Sequence, residues 1–413
     1  MLLFTIFALA LSGLSQVSTV AEPRLEPRLP RRSHPAHRIP EVQRNRPESP
    51  WKAWKNGPSK RTDSFPIAVW LQDPRRAVAY KAIGINLYIG LWKGPTSAQL
   101  AALAKAKMPV ICQQNALALK DKNRKQIVGW LQKDEPDNAQ AIKGAGYGPP
   151  IPPDRIVDDY RKMRAKDKTR PIFINFGQGI ANESFKGRGS RTGKLEDYPL
   201  YAKGADILSF DIYPVTSPYP HVSGRLEYIS IGVERLLKAG KNKKPTFTWI
   251  ECTHINNPKV KPTPAQVRSL VWIALISGVK GFGYFCHEFK PRFREAAMLQ
   301  DKTMSAAISK INKRVQSLAK VLNTPPKKKG ASLKPSNKKT RLKWTTRLLG
   351  SKLYLFAANI SSQPSKVAIS IRGSRGTRQA TVLDENRQLV LRFGRAYDQF
   401  GPYEVHLYEI SYP

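Results

Sequence analysis

Carboxyl groups are scarce in this chain, which has 30 Asp and Glu against 70 Lys and Arg. Two of them stand side by side at the end of an apolar run, "GWLQKDEPD", as Asp134 and Glu135 before Pro136. A second run, "FTWIECTH", carries Glu251. Two carboxyls flanking a shared cavity supply a proton donor and a nucleophile or base, the equipment for splitting a glycosidic bond. Asp134 and Pro136 also read as the cap and first turn of a helix, with Glu135 on the helix dipole, and Glu251 also reads as the partner of a Lys or Arg.

The elements that must position these groups are legible in the periodicity. Eight strand-like apolar runs follow one another from residue 65 to 289, among them "FPIAVWLQ", "INLYIGLW", "PIFINFGQG", "DILSFDIYP" and "GVKGFGYFCHEF". Most are followed by helix-like segments, such as "TSAQLAALAKAK" and "TPAQVRSLVWIALISG", with Thr and Pro at their starts. Continuous apolar strands alternating with helices predict parallel strands covered on both faces, and eight units give an α/β fold of the (β/α)8 TIM-barrel type. A doubly wound open sheet is the rival, but no G-x-G-x-x-G follows the first strand.

In a barrel the site lies at the C-terminal strand ends. Those ends offer Trp70 and Gln72; Tyr88 and Trp92; Gln113, Gln114 and Asn115; Asp134 and Glu135; Asn175 and Gln178; Asp211 and Tyr213; Glu251 and His254; Tyr284, His287 and Glu288. Aromatic faces stack on a pyranose, and amides and carboxylates bond its hydroxyls, so the mixture suits a sugar. Glu135 and Glu251, on opposite strands, are the expected catalytic pair. Asp134, Tyr213, Trp70, Trp92, Asn175, Gln178, Asp211, Tyr284 and His287 are the expected substrate contacts. Asp211 and Glu288 are reserve carboxylates, with Glu288 the replacement should Glu251 point away. No His and acid trio suggests a metal site, and no cofactor is expected.

On these residues the chain resembles the clan A glycoside hydrolases, barrels with an acid/base at the fourth strand and a nucleophile at the seventh. "WLQKDEPD" matches the first through Glu135-Pro136, and "FTWIECTH" the second through Glu251. "DIYP" is similar to the sixth-strand segment whose Tyr, here Tyr213, steadies the nucleophile. The resemblance implies a retaining two-glutamate O-glycosidase acting on a polysaccharide or oligosaccharide. One departure is Asp134, where much of the clan has Asn; a carboxylate there raises the pKa of Glu135. The alternative reading is a non-catalytic carbohydrate-binding barrel.

The remaining organisation follows from composition. Residues 1–21 read as a signal peptide, implying a secreted or cell-envelope protein with no stable membrane span once it is removed. Residues 22–62 read as a Pro/Arg-rich extended linker, 63–322 as the catalytic barrel, 323–343 as a basic linker and 344–413 as a small antiparallel β-sandwich. The net charge of +40 suits polyanions, so the carbohydrate partner is neutral or anionic. No nucleic-acid-binding motif accompanies the charge. The Gly-rich segment 177–199 reads as a loop over the active face, first as a solvated loop and alternatively as one whose Lys186, Arg188 and Arg191 meet sulfate or uronate. Cys112, Cys252 and Cys286 read as buried thiols, with a Cys252–Cys286 bridge as the competitor.

Overall fold

The computed structural model describes residues 46–412. The expected signal peptide and residues 22–45 of the expected linker lie outside the described residues. Eight parallel strands, β1 (Ile67–Trp70), β2 (Leu87–Ile89), β3 (Val110–Gln113), β4 (Ile127–Asp134), β5 (Ile172–Phe176), β6 (Ile207–Asp211), β7 (Thr246–Glu251) and β8 (Phe282–Phe285), close into a barrel in chain order. The helices that follow them in turn are α1 (Ala77–Ala82), α2 (Ser97–Lys105), α3 (Ala116–Lys120), α4 (Pro153–Lys166), α5 (Tyr198–Tyr201), α6 (Glu227–Ala239), α7 (Pro264–Ser277) and α8 (Lys302–Ser317). The protein is thus a (β/α)8 barrel.

Local chemistry fixes the helix ends. Thr96 and Gln99 form a capping box at the start of α2, and Thr263 and Gln266 another at α7, where Pro264 takes the first position. Gly278 ends α7 in the left-handed conformation, φ 112°.

Alternation along the strands separates two cores. Ala68, Trp70, Ile89, Ile111, Leu131, Phe173, Ile207, Phe247 and Trp249 fill the barrel interior. Val69, Tyr88, Cys112, Ile174, Phe210, Ile250 and Tyr284 face the helices. Gly283 leaves room for Trp249: a Cβ there would stand 2.2 Å from the indole. The interior is closed at one end by Trp51, buried against Phe247 at a ring separation of 5.9 Å. Residues 46–62, expected to be extended, therefore belong to the packed structure, because one large indole buries enough surface to order them.

The second unit of architecture is a sandwich of eight antiparallel strands: β9 (Ala331–Pro335), β10 (Leu342–Leu349), β11 (Lys352–Asn359), β12 (Ser365–Ile371), β13 (Thr377–Val382), β14 (Arg387–Arg392), β15 (Arg395–Phe400) and β16 (Val405–Ser411). Strand β9 falls inside the segment expected to be a linker; Leu333 anchors it in the sandwich core. The sandwich rests on α7 through Trp272 and Phe356, 5.3 Å apart, and through Arg268, which donates to the Val405 carbonyl at 2.9 Å. The three cysteines are free and buried, with no Cys252–Cys286 bridge. Among the described residues no helix is long and apolar enough to cross a membrane.

Candidate active site

A cavity of about 980 Å³ opens at the C-terminal ends of the strands. Asp134, Glu135, Asn175, Asp211, Tyr213, Trp70, Trp249 and His287 line it together, and Trp92 stands on its rim, 68% exposed.

The position of Asp134 depends on a fault in the ladder. Leu131 pairs with Phe173, but the next pairing is Asp134 with Asn175, so three steps on β4 oppose two on β5. A bulge of this kind re-aims a side chain. Leu131 already faces inward, and the extra residue turns Asp134 inward as well. Glu135 then takes φ 41°, a left-handed conformation unfavourable for a residue with a side chain. It is held there by its amide on the Asn175 carbonyl at 2.9 Å and by Asn138, whose backbone amide donates to the Glu135 carbonyl at 3.1 Å. The Asn138 side-chain amide donates to Glu135 Oε2 at 2.7 Å.

Asn175 wires the cluster. The Trp249 indole donates to its Oδ1 at 3.0 Å, which leaves Nδ2 to donate to Asp134 Oδ1 and Asp211 Oδ1, each at 3.1 Å. Those two oxygens therefore lie no farther apart than twice that distance. Glu135 and Tyr213 stand close enough to Asp211 to bias its ionisation. Neighbouring carboxyls disfavour each other's ionisation.

Burial, then the Asp211 charge, pushes the pKa of Glu135 well above the carboxylate range. Burial raises Asp211 to about 6, the bond from Glu135 restraining the shift. Asp134 is raised to about 7 by desolvation and by Glu135. Its carboxyl lies deep in the barrel mouth yet opens on the cavity, whose water moderates that desolvation; the crowding of carboxyls fixes the upward direction. Glu135 is thus raised above its ordinary value together with both of its carboxyl neighbours. Burial lowers His287 to about 4, so its ring is neutral at pH 7.

Glu251 is not brought to this cavity. It is 0% exposed, and its carboxylate accepts from the Val215 amide at 2.6 Å and from the Thr216 amide and hydroxyl, each at 2.8 Å. The group braces the loop after β6; burial raises its pKa to about 7 against the three donors. Glu288, its expected replacement, is buried against Arg294, and its carboxylate accepts from Arg294 Nε at 3.0 Å. Tyr284 faces the helices, with its hydroxyl on Asn312 at 2.9 Å, because strand alternation turns it outward. Gln178 opens a 3₁₀ turn outside the cavity lining. Arg188 and Arg191 are not free for an anion. Arg188 is buried, its Nη2 donating to Asp197 at 2.8 Å and its Nε to the Asp137 carbonyl at 3.1 Å; Arg191 also pairs with Asp197.

Of the other wall, sequence reasoning named His287 and missed Phe285, Phe289 and Phe293. These four form an aromatic bank at and after the end of β8, the His287 and Phe289 rings 6.0 Å apart and nearly parallel at 10°. Their signal was the unusual aromatic content of "YFCHEFKPRF" in a stretch otherwise rich in charge. Asp73 and Glu295 add carboxyls, Glu295 accepting from the Asp73 amide at 2.6 Å, and Arg75 is the single cation of the lining. Among the described residues no group of three or more His, Cys, Asp or Glu could hold a metal ion.

No protein-family model and no curated protein sequence matches the chain. Solved structures do. A GH27 β-L-arabinopyranosidase of Geobacillus stearothermophilus matches at 9% identity and a TM-score of 0.49, over 85% of this chain and 98% of its own. A Bacteroides fragilis protein assigned as an α-galactosidase matches at 10% identity and 0.49, over 84% and 79%. An α-L-arabinofuranosidase of Thermotoga maritima matches at 9% and 0.46, over 85% and 97%.

Proposed function

We propose that the protein is a glycoside hydrolase whose reaction is carried by the carboxyls of β4 and β6. The observation behind this reading is the Asp134, Glu135 and Asp211 cluster, wired through Asn175 on the floor of an aromatic-walled cavity. Glu135 holds the proton that a leaving glycosidic oxygen needs and keeps the general-acid role expected of it. Asp134 opens on the cavity with one oxygen fixed by the Asn175 amide, and it acts as the nucleophile. Tyr213 and Asn175 favour the ionised form of Asp211, which in turn receives and returns the Glu135 proton. Trp92 and the Phe289–Phe293 bank offer apolar ring faces to sugar C–H groups.

One observation favours a second reading, a carbohydrate-binding barrel without hydrolysis. The Asn138 amide already holds Glu135 Oε2 at 2.7 Å, so substrate must compete with that bond before a glycosidic oxygen can take the Glu135 proton.

Reducing-end release from a panel of neutral and anionic polysaccharides, by the wild type and by Asp134→Asn, Glu135→Gln and Asp211→Asn, separates the two. Hydrolysis lost in all three folded variants supports the proposal. Sugar binding without release by any of the proteins supports the second reading.

A further inference from the structure

The first five of the eight sandwich strands, β9 to β13, come from an acid-free stretch: no Asp or Glu occurs from Lys302 to Leu383. Three of its strands, β9, β12 and β15, form one sheet of the sandwich, with Leu333, Val367, Ile369 and Ala396 turned to the core. The alternate residues turn outward. In register across the sheet these are Lys334, Ala368 and Tyr397 in one row and Ser332, Ser370 and Arg395 in the next, with Lys366 opposite Gln399. Arg392 pairs with Arg395 at the corner, and Arg372 follows the end of β12. Lys334, Lys366, Arg372, Arg392 and Arg395 are all exposed, and none has an acidic partner among the described residues. The one carboxyl on these three strands, Asp398 on β15, stands opposite the inward Val367, and it accepts from Arg387 at 3.0 and 2.9 Å and from the Tyr408 hydroxyl at 2.8 Å.

We propose that this outward face is a binding surface for a linear anionic glycan, one carrying uronate or sulfate groups. Three strands make a flat strip about 10 Å wide and about 20 Å long, matched to an extended chain rather than a globular partner. Five unpaired cations on it give a local field that a polyanion neutralises. Single-stranded nucleic acid needs open aromatic faces on which bases stack. Here Lys366 Nζ already sits over the Tyr397 ring, 5.0 Å from its centroid, and Phe393 at the corner is a lone exposed ring rather than a row of them, so charge dominates what the face offers. The choice of a glycan also accords with the reaction proposed for the cavity, but the binding itself does not depend on that reaction.

The test is affinity electrophoresis of the full chain in gels containing polygalacturonate, neutral dextran or a deoxythymidine oligomer, over graded salt. A face variant (Lys334→Ser, Lys366→Ser, Arg392→Ser, Arg395→Ser) is compared with a control that loses the same charge from the barrel (Lys105→Ser, Lys120→Ser, Lys122→Ser, Lys125→Ser). The expected result is retention by polygalacturonate but not dextran, weakened at least about tenfold in the face variant, less than about twofold in the control, and lost at high salt. Equal weakening in both variants, no retention of the wild type, or tighter retention by the oligomer would each overturn the proposal. Every substituted side chain is exposed, so unchanged circular dichroism certifies the fold. Binding is read without turnover, so a silent cavity leaves the test intact.

Discussion

Two surfaces of one chain carry opposite chemistry. The barrel cavity is lined by Asp73, Asp134, Glu135, Asp211 and Glu295 with Arg75 as its one cation, in a protein of net charge +40. The outward face of the β9–β12–β15 sheet shows five cations and no acid. The difference separates two questions that the overall charge runs together. On the two proposals together, an anionic glycan is drawn to the sheet and disfavoured by the cavity, so a neutral sugar is the expected substrate and the anionic polymer the expected place of attachment.

The sharpest way to break this comparison is to neutralise one surface and read both. Asp134→Asn, Glu135→Gln and Asp211→Asn should each lower turnover by about 10²–10⁴ while leaving polygalacturonate retention unchanged. A matching loss of retention would merge the two surfaces into one.

Next in size is a contrast between cations. Arg188 is buried between Asp137 and Asp197, and its removal strands their charges; Arg188→Ala should cost about 3–5 kcal/mol in denaturant unfolding. The exposed Lys334→Ser should change stability by less than about 0.5 kcal/mol. Similar costs for the two would mean that the sheet cations are structural.

A smaller effect is expected from pH. The pKa values of Asp134 and Glu251 are raised to about 7, and those of Asp137 and Asp211 to about 6, against ordinary values of 3.8 for Asp and 4.5 for Glu. Between these limits the native state binds more protons than the unfolded chain, so stability falls as pH rises from about 4 to 7. His406, raised by Glu385, acts in the same direction, and His287 opposes it. Calorimetry should give a higher Tm at pH 5 than at pH 7; a lower one would place the carboxyls in water. Least of all, Trp92→Ala should raise KM by about threefold to tenfold, with Tm unchanged.

Much of this was legible in the sequence, and for physical reasons. Buried parallel strands must be continuously apolar, so eight of them announced the barrel, and their ends included Asp134, Glu135, Asn175, Asp211 and Tyr213. What stayed hidden was orientation. The bulge after Leu131 that turns Asp134 inward has no residue signature, and Tyr284 faces outward through the same alternation that turns Trp249 inward. The fate of Glu251 rests on two backbone amides and a hydroxyl from the loop after β6, contacts that no local pattern encodes. Arg188 read as a free cation because Asp137 is distant in sequence and because nothing local shows that the irregular loop folds Asp197 back onto it. Trp51 was passed over because a single indole in a Pro/Arg-rich segment leaves no periodic trace.

The measurement that tests the central claim most directly sets Asp211→Asn beside Glu251→Gln in reducing-end release from the neutral polysaccharide that the wild type cleaves best, with both variants checked for folding. The β4 and β6 carboxyls predict that Asp211→Asn loses at least about a hundredfold, and that Glu251→Gln, weakened in stability by its broken loop contacts, keeps turnover within about tenfold. A folded Glu251→Gln without activity, beside an active Asp211→Asn, would contradict the account.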